Sequence, residues 1–139
     1  MVKDKVKEIV ESMGLPFQYN DWTRVNVEVD FTKLPLCVFV LPVSGQLYNK
    51  HLNIHDWPNC LIAFLDLAEM DFDGEENENT VDRMKKKAFE FVSAVNNSNA
   101  FEPLPDIIPY SVVYDYLDDN LTGIVLDVQL KERVGSCIK

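Results

Sequence analysis

The stretch Pro35-Leu36-Cys37-Val38-Phe39-Val40-Leu41-Pro42 decides the fold. Its six consecutive apolar residues are strand-sized and too few for a buried helix. A strand sends alternate side chains to opposite faces, so an unbroken apolar run requires cover on both. The two prolines bracket it because neither can donate a ladder hydrogen bond. A second run, Cys60-Leu61-Ile62-Ala63-Phe64-Leu65, predicts another buried strand, central in the same sheet.

Upstream, Val25, Val27, Val29 and Phe31 alternate with Arg24, Asn26, Glu28 and Asp30, the period of a strand with one dry and one wet or partner-facing side. Before it, Val2, Val6, Ile9, Val10 and Met13 share one helical face, and Gly14-Leu15-Pro16 stops that helix. Between the two apolar runs, Val43-Ser44-Gly45-Gln46 reads as a turn. Residues 47–59 mix Leu47, Tyr48, Leu52, Ile54 and Trp57 with Asn49, Lys50, His51, His55, Asp56 and Pro58. They are expected to form a loop or irregular arm, packed on its own sheet or on a neighbour.

Residues 71–79 form an acidic connection without a basic residue. A helix from Thr80 to Val95 follows, with Asn79 as its cap. Val81, Met84, Ala88, Val92 and Val95 make its stripe, broadened by Phe89 and Phe91. Asn96-Asn97-Ser98-Asn99 ends it, and Phe101 to Pro105 is too proline-rich for regular structure. Alternation at Ile108, Tyr110, Val112, Tyr114 and Tyr116, then at Ile124, Leu126, Val128 and Leu130, predicts a closing hairpin. Its turn begins at Asp118-Asp119-Asn120, with Gly123 free to take a positive backbone angle. Residues 132–139 either extend the last strand or hang as a flexible tail. The order is α-β-β-β-α-β-β in one domain spanning 1–139: an α+β fold with a mixed or antiparallel sheet packed by two helices.

Composition bounds the function. The chain has 139 residues, 23 acids against 13 bases and a formal charge of -10. That balance argues against specific nucleic-acid binding and against an anionic membrane surface. The charged start, Lys3-Asp4-Lys5 to Lys7-Glu8, lacks the apolar segment of a signal peptide, and no run has the roughly 20 apolar residues of a spanning helix. Cys37, Cys60 and Cys137 are widely spaced; the first two sit inside apolar runs and read as small buried hydrophobes in a reducing compartment.

No chemistry-bearing motif is complete. With Gly74 at position six of a calcium loop, Glu69, Asp71 and Asp73 take ligand positions. Thr80 then stands where a bidentate glutamate is required. His51, His55, Asp56 and Cys60 have zinc-like composition but no paired-cysteine spacing. Ser44 lacks a nucleophile elbow, and nothing in the sequence brings Asp66, Asp115 and Asp118 together. Phosphate- and dinucleotide-binding glycine motifs are missing. No catalytic residue, metal ligand or cofactor is therefore assigned.

What stands out is charge placement. Six of the 23 acids fall between residues 71 and 82, immediately before the basic turn Arg83, Lys85, Lys86 and Lys87. Adjoining patches of opposite sign suit a head-to-tail contact between copies. The candidate subunit-interface residues are Arg24, Asn26, Glu28 and Asp30 on the wet strand face, Asp71, Asp73, Glu75 and Glu76 in the acidic connection, and Arg83, Lys86 and Lys87 on the helix.

The ordered pieces also carry a resemblance. They are the N-terminal helix, Val25 to Phe31, Leu34 to Leu41 with Pro42-Val43-Ser44-Gly45, and Phe64-Leu65-Asp66 before the acidic connection. After them come the helix around Met84-Lys85, Phe101-Glu102-Pro103, and Asn120-Leu121-Thr122-Gly123 with Leu130-Lys131-Glu132. Together they resemble the small neck and tail-completion proteins of tailed bacteriophages, the tail-terminator type in particular. The resemblance implies a non-enzymatic virion protein, assembled in the host cytoplasm. It would form a homo-oligomeric ring, commonly hexameric, that contacts tail-tube and neck or connector proteins. Two other classes stay open: an acidic cytosolic adaptor or inhibitor of a basic protein, and a small hydrolase.

Overall fold

The computed structural model describes residues 2–20, 35–50, 53–67, 75–116 and 121–133. Two helices, α1 (Val2–Ser12) and α2 (Glu75–Asn97), accompany six strands: β1 (Phe17–Asn20), β2 (Leu36–Val40), β3 (Gly45–Lys50), β4 (Asn53–Leu67), β5 (Tyr110–Tyr116) and β6 (Leu121–Gln129). The sheet runs β1-β2-β4-β6-β5, with β3 paired to the first part of β4. Only β1 and β2 are parallel; every other pairing is antiparallel. The fold is thus α+β, a mixed six-stranded sheet against two helices. The alternating strand at 25–31 lies outside the described residues.

Strand alternation divides the apolar residues between two layers. Cys37, Phe39, Cys60, Ile62, Phe64, Ile124, Leu126 and Val128 point to the helical side, where Val6, Ile9 and Val10 of α1 and Val81, Met84, Ala88, Phe91 and Val95 of α2 close over them. Leu36, Val38, Val40, Ala63, Leu65, Leu121 and Val125 form a second buried cluster. All five residues of β2 are buried, as its unbroken apolar run requires.

Local chemistry sets the ends of the helices. Gly14 has a φ of 79°, and its N–H donates to Glu11 O while Leu15 N–H donates to Val10 O. That is a Schellman cap, completed by burial of both Leu15 and Val10. At the far end of α2, Asn99 takes the left-handed conformation at φ 61°, and Asn96 Oδ1 accepts from Leu104 N–H at 2.9 Å. Phe101 is thereby returned to the core, and a bridge to Glu132 ties this segment to the chain beyond β6. The tail is therefore pinned as far as Arg133, whose N–H donates to Ala100 O.

Several expectations need correction. Helix α2 begins at Glu75, so residues 75–79 of the acidic connection are helical and Asn79 lies inside the helix instead of capping it. Glutamate is a good helix former, and acids in a first turn are favoured by the helix dipole. Phe89 does not broaden the buried stripe: it is 67% exposed, whereas Phe91 is fully buried. Gly123 has no positive φ; it sits within β6 opposite Leu65, where an added Cβ would lie 1.9 Å from Phe64 O. Close backbone approach, not turn geometry, demands glycine there. Strand β1 was not expected; Phe17 and Tyr19 alternate over only four residues, too few to read alone.

Residues 45–58 are the largest departure. Residues 45–50 and 53–58 pair as one antiparallel ladder, from Gly45 opposite Pro58 to Lys50 opposite Asn53, and this hairpin ladder is regular throughout. Strands β2 and β3 lie end to end along one side of β4, but Val40 faces Leu61 and Gly45 faces Pro58. Four residues on one strand thus oppose two on the other, a bulge that lets the long ladder bend.

The two phenylalanines of α2 provide a check on its phase. Phe91→Ala removes a ring packed 5.6 Å from that of Phe64 and is expected to cost about 3–5 kcal/mol in urea denaturation. Phe89→Ala is expected to stay within about 0.5 kcal/mol of wild type.

Candidate self-association surfaces

The hairpin projects beyond the ladder that β6 makes with β4, which begins at Asn59 opposite Gln129. From Ile54 to Trp57, β4 has β3 as its only strand partner among the described residues. A two-stranded ribbon is at best marginal in water, so this arm depends on side chains. On one face Tyr48 stacks on Trp57 with centroids 4.4 Å apart and planes 20° from parallel. Lys131 Nζ lies 5.0 Å from the centre of the Trp57 ring. At the arm's root, Gln129 Nε2 donates to Gln46 Oε1, Asn59 Oδ1 and Trp57 O at 3.0–3.3 Å. Asn59 donates from its backbone to Ser44 O and from its side chain to Ser44 Oγ, so Ser44 is a hinge-point acceptor.

Pro58 fits this ladder for a specific reason. Asn59 N–H points toward β3, so the nitrogen of Pro58 points the other way, where the β6 pairing ends. Gly45 opposite leaves the room: a Cβ there would lie 2.9 Å from Pro58 Cα.

The opposite face of the arm is apolar and open. Leu47 and Ile54 are diagonal neighbours on it, with Asp56 directly across from Leu47. Leu47 is 72% exposed, Ile54 65%, and Val43 at the root 96%. Contiguous exposure of this kind marks a contact surface more often than solvated surface.

A second apolar surface lies at the other edge of the sheet. There α2, β5 and the segment before β5 enclose a groove of about 530 Å³, lined by Phe89, Val92, Ile108 and Tyr110 and flanked by Lys85 and Asp106. Phe89, Ile107 and Tyr110 are exposed, and Lys85 Nζ sits 5.2 Å over the Tyr110 ring. Strand β5 ends the sheet on this side.

The sequence-derived interface residues divide unevenly. Arg24, Asn26, Glu28, Asp30, Asp71 and Asp73 lie outside the described residues. Glu75 and Glu76 occupy the first turn of α2. Arg83 is engaged within its own chain, donating to Asp66 Oδ2 at 2.7 Å and to Thr80 Oγ1 at 3.1 Å. Lys87 lies 3.7 Å from Glu90, while Lys86 is exposed. The arm was expected from sequence to pack on its own sheet or on a neighbour, without its residues being assigned to an interface, and the groove was not singled out. Their signal is a set of large apolar residues out of phase with the core stripe, and that phase is known only once the core is.

Other chemistry is sparse. Cys37 and Cys60 are buried free thiols, and Cys60 Sγ donates to Pro58 O at 3.4 Å. Burial pushes the Cys60 thiol up to about 12, partly opposed by a backbone hydrogen bond from Leu130, and raises Cys37 in the same direction. Among the described residues no group of three His, Cys, Asp or Glu is placed to hold a metal. His51 lies outside them, and His55 rests beside the Tyr48 ring. A cleft of about 540 Å³ at the N-terminal end of α1 brings Lys3, Asp56, Glu132 and Arg133 together. Beside it Lys5 pairs with Glu132 at 2.6 Å, and Arg133 with Glu102 at 3.4 Å. No protein-family model and no curated protein matches the chain.

Removing the Tyr48–Trp57 stack with Trp57→Ala is expected to abolish amide-exchange protection in the arm while β2 and the second half of β4 stay protected, as hydrogen-exchange NMR would show. The thiols add a pH dependence. Their folded pKa is raised, so their contribution to stability is complete below the unfolded value near 8.5 and is lost as pH rises toward about 12. Denaturation from pH 8 to 11 is expected to fall less steeply in Cys60→Ala than in wild type, and iodoacetamide is expected to alkylate Cys37 and Cys60 only after unfolding.

Proposed function

We propose that the chain is a non-enzymatic structural protein that assembles into a ring at the head–tail neck or the end of the tail tube of a tailed bacteriophage. One observation carries this reading: the sheet extends a two-stranded arm that leaves Leu47 and Ile54 exposed on one face, uncovered by the described residues of its own chain. Exposed apolar surface is costly in a monomer and is stabilised when a neighbour covers it. The element order resembles the tail-terminator type, which supplies the ring and its place in the virion. Two of the charged groups at the cleft, Glu132 and Arg133, are engaged by Lys5 and Glu102 of the same chain.

Negative-stain imaging and native mass spectrometry test the reading. Closed rings are expected, with a mass near 96 kDa for six copies of a 16.0 kDa chain. Gene order beside portal, major-tail and tape-measure genes is expected as well. A chain that stays monomeric and binds a basic protein in a salt-sensitive manner would replace this reading with the acidic-adaptor one.

A further inference from the structure

We infer that the arm of one copy seats in the α2–β5 groove of the next, so that the ring contact is heterologous: Val43, Leu47 and Ile54 of one subunit meet Phe89, Ile108 and Tyr110 of its neighbour. This rests on the ring reading above and names the contact that builds the ring.

Three observations select a second copy as the occupant. The first is matching character. The arm offers an apolar ridge with one exposed acid, Asp56, opposite Leu47. The groove offers apolar walls with one cation, Lys85, lying over Tyr110. Seating the ridge brings Asp56 toward Lys85. Opposite charges at the rim of an apolar contact fix its register.

The second is area. The five exposed side chains Val43, Leu47, Ile54, Phe89 and Tyr110, at roughly 150–200 Å² each, amount to about 600 Å² of apolar surface. With interface cores near 65% apolar, the whole contact comes to about 900 Å², the size of a small interface that a ring repeats at every subunit.

The third is placement. The arm leaves the sheet along the β4 axis from the β2 side, and the groove lies beyond β6 at the β5 edge. The two surfaces occupy different elements and both stay exposed, so one molecule does not satisfy itself. A contact between unlike surfaces leaves one of each free, and repeats until the rotation closes.

Cysteine pairing tests the geometry directly. In a Cys137→Ser background, Leu47→Cys and Phe89→Cys are introduced singly and together, then oxidised mildly. Because both sites are exposed, the variants are expected to fold with unchanged far-UV circular dichroism. The single variants are expected to stay uncrosslinked when alone and to form dimers when mixed. The double variant is expected to give a covalent ladder that stops at the ring number. Phe89→Ala is expected to weaken association at least about tenfold in sedimentation while its thermal midpoint holds. Closed rings without any ladder would overturn the arm-in-groove contact and leave the ring reading standing. A ladder that runs on into filaments would do the reverse. Strong self-crosslinking of Leu47→Cys alone would show a twofold contact and overturn the inference.

Discussion

Strand β4 is the member on which everything else hangs. Its fifteen residues, Asn53–Leu67, pair with β3 and then β2 along one side and with β6 along the other. Cys60, Ile62 and Phe64 carry the core toward the helices, while Ala63 and Leu65 belong to the second cluster. A segment that makes two ladders and contributes to two buried layers cannot shift register without turning every one of those side chains to the wrong face. The same strand leaves the core at Pro58 and becomes half of the arm, so a rigid base comes directly from the most constrained part of the molecule.

The arm's exposure follows from that continuity. β6 stops at Gln129, and beyond it β4 has a strand neighbour on one side only among the described residues. The Tyr48–Trp57 stack, the cation of Lys131 and the donors of Gln129 stabilise one face. Trp57 Nε1 is buried there with no hydrogen-bond acceptor among the described residues, a cost of about 1–3 kcal/mol that the packing around the ring must offset. The other face keeps Leu47 and Ile54 in water. An element stabilised on one face and exposing apolar side chains on the other is the feature from which the proposed contact is argued.

Two of the cations singled out from sequence have partners close by on their own chain. Arg83, the start of the basic turn, is held by Asp66, and Lys87 by Glu90 on its own helix. Such exposed pairs contribute little to stability, but they reduce the charge left for a neighbour. Lys85 keeps a different role, since it sits at the groove over an aromatic face.

The sequence by itself determined the layers. Unbroken apolar runs at 36–41 and 60–65, a helical stripe from Val81 to Val95, alternation at 124–130 and the Gly14 stop all encode local periodicity that burial must respect. An α+β sheet with two helices follows from those patterns alone. Tertiary structure decided what periodicity does not carry. Phe17 to Asn20 become a strand because β2 supplies a parallel partner. Residues 45–58, with their asparagines, histidine and proline, become a hairpin because β4 arrives already fixed in register from the core. Phe89 is left outside because the helix phase is set by Met84, Ala88 and Phe91 against the sheet. Local sequence states which residues prefer burial; only the assembled core determines which of them are denied it, and those are the residues that form the arm and the groove.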